Sequence, residues 1–98
     1  MPNRMPPVHP GEILAQELAE LGLSANAFAR ALAVPANRVT AILKGSRRVT
    51  ADTALRLSCY FGTSPELWLN LQQSYDLKIA EQQSGKAIRA RVRPRQAA

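Results

Sequence analysis

Helix start and stop signals alternate along this chain, and between them apolar residues recur at three- and four-residue spacing. That spacing is the period of one helix face, whereas a strand alternates at every second residue. Serine, threonine and proline favour the first positions of a helix, and glycine favours the position just past its end. The sequence therefore predicts an all-α fold, a compact bundle of five short helices. The predicted starts are His9-Pro10, Ser24, Pro35, Thr50 and Ser64-Pro65, and the glycine stops are Gly22, Gly45 and Gly62.

The second and third predicted helices are separated by only a few residues around Ala33-Val34. Two short helices joined this tightly can dock on DNA, because the second fits a major groove roughly 12 Å wide while the first crosses the backbone. The pair therefore predicts a helix-turn-helix. Its inward stripes are Phe28, Ala29 and Leu32 in the first helix of the pair, and Val39, Ile42 and Leu43 in the second.

The residue types present exclude several kinds of site. A single histidine, His9, and a single cysteine, Cys59, are too few for a zinc cluster, and the chain has no glycine-rich phosphate loop. We therefore expect no enzyme, no metal, no cofactor and no small-molecule ligand. Cys59 lies in an apolar run, which predicts a buried thiol, and His9 lacks a nearby nucleophile, which predicts a structural role. No apolar run reaches roughly eighteen residues, so we expect a cytoplasmic protein without a membrane partner.

Positive charge is concentrated in two places along the chain, whose formal net charge is +6. Five cations and no acid lie between Arg30 and Thr50, and five further cations without an acid follow residue 84. A basic balance of this kind favours a polyanionic partner such as DNA. The organisation predicted from it is an N-terminal arm (1–8), a helix-turn-helix DNA-binding and dimerisation domain (9–83) and a basic tail (84–98).

Three structures are compatible with the tail. Ile88, Ala90 and Val92 alternate with arginines until Pro94, which is the period of a strand. Six residues of pattern are a short basis, so we favour an unstructured basic tail over a helical extension or a strand that pairs only in a dimer.

The outward face of the third predicted helix carries side chains that can contact bases. Asparagine can bond adenine through two atoms, arginine can do the same to guanine, threonine can reach phosphate, and alanine allows close approach or a thymine-methyl contact. We therefore predict base contacts from Asn37, Arg38, Thr40 and Ala41. The alternative is an ordinary solvated helix face, which the acid-free surroundings disfavour.

Phosphate contacts are predicted on both sides of that helix. Arg47 and Arg48 follow the glycine that ends it, where the backbone of a duplex would pass, and Lys44 lies in its last turn. Ser24 and Asn26 begin the preceding helix, whose amide groups could hold a phosphate. For Ser24 the simpler role is that of a helix cap.

The last predicted helix offers a dimer interface. Trp68, Leu71 and Tyr75 recur at helical spacing, and we assign Trp68 to the core and Leu71, Tyr75 and Ile79 to a contact between two copies. A two-fold dimer would hold two recognition helices about one turn of DNA apart, roughly 34 Å, which suits a palindromic operator.

The segment from Phe28 to Pro35, continued by Val39, Ile42 and Gly45, resembles the helix-turn-helix of the XRE, or lambda/Cro-type, repressors. Narrower matches surround it: HPGEIL at residues 9–14, VTADTALRL at 49–57, FGTSPELWLNLQ at 61–72 and YDL at 75–77. Together, residues 9–81 are similar to the HigA antitoxins, also called the VapI or plasmid-maintenance antidote group. Pro35, Ala36 and Ala41 depart from the family pattern, which commonly has a serine or threonine cap and larger polar residues there, so no operator sequence carries over.

The resemblance implies a homodimer that binds a palindrome in its own promoter. It also implies a partner, a small RelE-like ribonuclease toxin, HigB, which the chain would bind and block. The resemblance assigns no toxin-binding residues. The alternatives are a solitary XRE-type regulator without a toxin and, less favoured, an enzyme or interaction module built on the same bundle.

Overall fold

A computed structural model describes residues 6–96, and every regular element within that range is helical. This confirms the predicted all-α bundle and the position of each of its five helices. A π-helical turn, Glu81–Gly85, continues the fifth helix directly into a sixth helical segment. The elements are α1 (Pro10–Leu21), α2 (Ala25–Leu32), α3 (Ala36–Leu43), α4 (Ala51–Phe61), α5 (Pro65–Ala80) and α6 (Lys86–Arg91).

The predicted caps define the helix ends. The hydroxyl oxygens of Ser24, Thr50 and Ser64 each accept a hydrogen bond from the backbone amide three residues on, at 3.1, 3.5 and 3.2 Å. Each bond satisfies an amide that has no partner inside its helix. Gly22 and Gly62 end α1 and α4 with left-handed φ values of 67° and 71°, a conformation that glycine adopts without strain.

The core lies where the apolar stripes of α1 to α5 meet. Phe28 on α2 and Leu57 on α4 are completely buried, and the Trp68 ring, tilted against Phe61, closes the far end. This confirms Trp68 as a core residue. The buried apolar residues are Leu14, Leu18, Phe28, Ala29, Leu32, Val39, Ile42, Val49, Ala54, Leu57 and Trp68.

The start of α1 lies directly against the end of α3. A Cβ atom built on Gly11 would overlap the backbone carbonyl of Ile42. Because that carbonyl belongs to the backbone, it cannot move aside as the end of a side chain can. Gly11 therefore lets α1 and the recognition helix approach more closely than any other residue would.

His9 has the structural role predicted for it. Its side chain is 6% exposed, its Nδ1 atom accepts a hydrogen bond from the Gly11 amide at 2.9 Å, and the Glu12 carboxylate accepts one from the His9 amide. The ring also meets Tyr75 edge to face, with centroids 4.9 Å apart. His9 thus ties α1 to α5 through its neutral form, because a protonated Nδ1 could not accept.

We expect the stability of the protein to fall as the pH drops below the ordinary histidine value of 6.5. Burial lowers the pKa of His9, more than Asp76 and Glu12 raise it, so the unfolded chain takes up this proton more readily than the folded one. The contribution of His9 is therefore complete above pH 6.5 and is lost on acidification below it. Urea unfolding at about pH 7.5 and about pH 5.5 measures the loss. His9→Asn, which keeps a capping side chain, should lose less between the two conditions; an equal loss would contradict the assignment.

Two predictions are corrected by the fold. Cys59 is exposed, because the inward residues of α4 are Thr53, Ala54 and Leu57, and Cys59 lies on the opposite side of the helix. The tail is neither unstructured from its start nor a strand, since residues 84–91 are helical and only residues 92–96 are irregular. Residues 1–5 of the predicted arm and residues 97–98 of the tail lie outside the described range. No helix within residues 6–96 is long and apolar enough to cross a membrane.

Candidate nucleic-acid interface

The recognition helix α3 presents the predicted residues on one accessible side. Val39 and Ile42 are buried in the core as predicted, which turns Asn37 outward and leaves Thr40 and Ala41 half-buried beside it. The Thr40 hydroxyl donates to the Asn37 carbonyl at 3.3 Å, so its methyl and hydroxyl groups are fixed along the helix. Asn37 is exposed, and the small side chain of Ala41 leaves room for a close approach.

Arg38 is held by a carboxylate of the neighbouring helix. Its guanidinium donates to Asp52 at 2.6 Å, and Arg56, one turn along α4, donates to the same oxygen at 2.9 Å. These bonds hold the pKa of Asp52 below its ordinary value, and the bond from Arg56 has the larger effect. The Arg38 side chain remains 30% exposed, so it lies at the edge of the α3 surface in a fixed position.

Arg56 also stabilises the turn of the helix-turn-helix. It donates to the carbonyl oxygens of Leu32 and Ala33, at 2.9 and 3.2 Å. These are terminal carbonyls of α2 that lack partners within the helix. Ala33 has a left-handed φ of 58°, an uncommon conformation for a residue with a Cβ atom. The arginine thus joins α2, α4 and, through Asp52, α3.

The loop after α3 carries two arginines in different situations. Arg48 donates to Asp76 of α5 at 2.6 Å, whereas Arg47 is exposed and makes no ion pair within residues 6–96. Beneath them, Gln72 is buried and its side-chain oxygen accepts from the Val49 amide at 2.7 Å. The Gln72 amide group then donates to Asp76. The loop is therefore fixed to α5 on both its inner and its outer side.

A cleft of about 410 Å³ lies between α3, the loop and the start of α4. Four arginines and one carboxylate give it a positive balance, and two threonines add hydroxyl groups. Such a lining suits the phosphates of a nucleic-acid backbone. The cleft is lined by Arg38, Arg47, Arg48, Thr50, Asp52, Thr53 and Arg56. No cluster of three histidine, cysteine or acidic side chains that could hold a metal ion lies in the described part of the chain.

Comparison with known proteins agrees with the helix-turn-helix fold. A helix-turn-helix family model matches residues 14–68. An addiction module antidote protein of the HigA family from Coxiella burnetii is 61% identical, with a TM-score of 0.90, and the match covers 93% of this chain and 100% of that one. The chain belongs to the HigA family of helix-turn-helix proteins.

Two further relatives are similar to this HigA-family chain. Virulence-associated protein I of Dichelobacter nodosus is 56% identical over 81 residues, which is 82% of this chain and 75% of that protein. The antitoxin HigA of Pseudomonas aeruginosa, solved with the higBA promoter, is 44% identical, with a TM-score of 0.89 and coverage of 93% and 100%.

The other predicted site residues of this HigA-family chain lie further from α3. Ser24 and Asn26 are exposed at the start of α2, where Ser24 acts as a cap. On α5, Leu71 packs against the core, Tyr75 lies against His9, and Ile79 is half-buried. Each of the three thus has contacts within its own chain already.

Sequence reasoning missed several residues of this interface. Asp52 and Arg56 are four residues apart on α4, a spacing that indicates a helical ion pair, but nothing in the pattern connects them to Arg38. Nothing in the sequence marked Gln72 as buried. Its role becomes visible only in the structure, where its side-chain oxygen accepts a hydrogen bond from the Val49 amide. Outside this interface, the exposed apolar side chain of Leu77 on α5, 70% exposed, was also missed.

Proposed function

We propose that this protein is an antitoxin and autorepressor that binds a palindromic operator in its own promoter as a homodimer. In this proposal it also binds and blocks a small RelE-like ribonuclease toxin, HigB, in the cytoplasm. The observation that carries the proposal is the accessible face of α3 beside the arginine-lined cleft. The relative solved with the higBA promoter supports the same assignment.

In this proposal α3 lies in the major groove. Asn37, Arg38, Thr40 and Ala41 contact base edges. The exposed amide of Asn37 and the small side chain of Ala41 support this placement. The phosphate contacts come from the two sides of α3, namely from Ser24, Asn26, Lys44, Arg47 and Arg48, all of which are exposed.

The homodimer uses α5 in this proposal, with Leu71, Tyr75 and Ile79 at or beside the contact. Leu77 supports it, because a leucine that is 70% exposed on a long helix is covered when a second copy packs there. A two-fold contact would place two α3 helices on the same side of the dimer, as a palindrome requires.

The deciding experiment is to co-express the protein with the product of the adjacent gene and to purify through a tag on this chain. We expect the neighbour to co-purify, to arrest growth when expressed alone, and to be harmless when this chain is present. A band-shift with the promoter of the gene pair tests the DNA part separately. A harmless neighbour that does not co-purify, combined with promoter binding, would establish the alternative of a solitary regulator.

A further inference from the structure

Helix α5 runs toward the loop that carries the phosphate-contacting arginines. It begins beside the end of α4, where the Trp68 indole nitrogen donates to Thr63 at 3.1 Å. It then passes the other end of α4, where Gln72 accepts from Val49 and Asp76 accepts from Arg48. Because α4 leads away from the loop, α5 is antiparallel to it and returns to the side of the domain proposed to face DNA.

The helix does not end at the loop. Fifteen more residues, from Leu77 to Arg91, continue it through the π-helical turn and α6. At about 1.5 Å per residue they extend about 22 Å past Asp76. The molecule is accordingly 55 Å long and only 26 and 22 Å across. Residues 86–95, named here the basic arm, therefore project beyond the loop.

An ion pair links the π-helical turn to the arm. Arg89 donates through both terminal nitrogens to the Glu81 carboxylate, at 2.8 and 2.5 Å, over a separation of eight residues. The two side chains meet over Gly85, where a Cβ atom would overlap the carboxylate. Gly85 thus leaves the space in which this pair forms.

Only one of the five cations in the arm is neutralised by this ion pair. Lys86, Arg91, Arg93 and Arg95 are exposed and make no ion pair within residues 6–96. No acid follows Glu81 in the sequence. Four unneutralised cations on an element that projects past the phosphate-contacting loop match a regularly spaced polyanion.

We propose that the basic arm is a second DNA-binding element that grips backbone phosphates without regard to base sequence. The proposal rests on the proposed operator binding. The helical end of the arm at Arg91 lies about 22 Å past Asp76, a distance of about six base pairs. Because phosphate contacts carry no sequence information, the arm strengthens binding to all duplexes and leaves selection of the operator to α3.

The first test is the salt dependence of binding by the full chain carrying Arg91→Gln, Arg93→Gln and Arg95→Gln. Each lost phosphate contact lowers the log–log slope of affinity against salt by about 0.9, so a dimer that loses six should show a slope lower by about 5. Fluorescence anisotropy with the promoter duplex and with a scrambled duplex measures it. We expect both duplexes to lose affinity by the same factor. Lys78→Gln, on the bundle side of the same helix, should leave the slope nearly unchanged.

A second variant separates the position of the arm from its charge. Gly85→Ala keeps every cation, and its Cβ displaces the Glu81 carboxylate and breaks the pair with Arg89. We expect unchanged helicity by circular dichroism and weaker binding to both duplexes, smaller than the loss in the triple variant.

One outcome would overturn the inference while leaving operator binding intact, namely a triple variant that binds the promoter with the parental slope. If that variant also fails to co-purify with the toxin, the partner of the arm is a protein and not DNA. Failure of the parental protein itself to bind the promoter would instead refute the proposed function.

Discussion

In the proposed homodimer, Asn37→Ala in both α3 helices is expected to weaken binding to the proposed operator about 30-fold to about 10⁴-fold. A bidentate contact between asparagine and adenine contributes about 1–3 kcal/mol of discrimination, and a palindrome contains two of them. The Asn37 side chain is exposed and forms no side-chain hydrogen bond in the described structure, so the protein fold should be unaffected. Anisotropy titrations with the operator and with a scrambled duplex at one salt concentration measure the loss.

Arg47→Gln is the matched control for this variant. Arg47 is exposed, lies in the loop after α3 and is proposed to contact phosphate only. Its loss should weaken binding to operator and scrambled duplex alike, whereas Asn37→Ala should affect the operator alone. Equal losses on both duplexes for Asn37→Ala would remove Asn37 from the base-contacting set.

Gly11→Ala should lower the free energy of unfolding by about 3 kcal/mol, the upper range for an added atom in a packed site. The added Cβ would overlap the Ile42 carbonyl, so α1 and α3 must separate and the surrounding core must loosen. For a domain of this size, that loss corresponds to a fall of about 12–24 °C in the unfolding midpoint. Thermal unfolding followed by circular dichroism measures it.

Gly62→Ala separates packing from backbone conformation in that experiment. Gly62 has a φ of 71° and nothing within 4 Å of a built Cβ, so its replacement costs only the strain of the left-handed conformation, about 1–2 kcal/mol. Gly11→Ala should therefore be the more harmful substitution. If Gly62→Ala destabilised the protein as much, contact between α1 and α3 would not be the cause.

Local signals predicted the helices of this fold correctly. The caps at Ser24, Thr50 and Ser64 and the glycines after α1 and α4 act within a few residues, so their effect is visible in the sequence itself. The same holds for the apolar stripe that orients α3, because Val39 and Ile42 fix which side of the helix faces the core. The family resemblance then supplied the class of protein, which the relatives confirm.

Contacts between distant segments were not predictable in this way. Asp52 joins Arg38 across 14 residues, and Gln72 reaches Val49 across 23; both depend on the packing angle between helices. The tail was predicted incorrectly as unstructured, because six alternating residues were too short a pattern to support a regular element. A π-helical turn and an ion pair eight residues apart instead extend α5 as a helix. Cys59 was predicted incorrectly because an apolar run was taken as buried throughout, although a helix turns part of it toward solvent.

The Asp52 carboxylate has a consequence for how the protein would search DNA. On a sequence that offers no suitable base, Arg38 can keep its bond to Asp52. The guanidinium then stays paired, and binding to the wrong sequence costs no hydrogen bond. On the operator, a guanine would replace the carboxylate as acceptor, and the arginine rotamer is already ordered before the encounter. Arg38 would therefore add little friction when the protein slides along unrelated DNA. It would bind a base only where guanine is a better acceptor than Asp52.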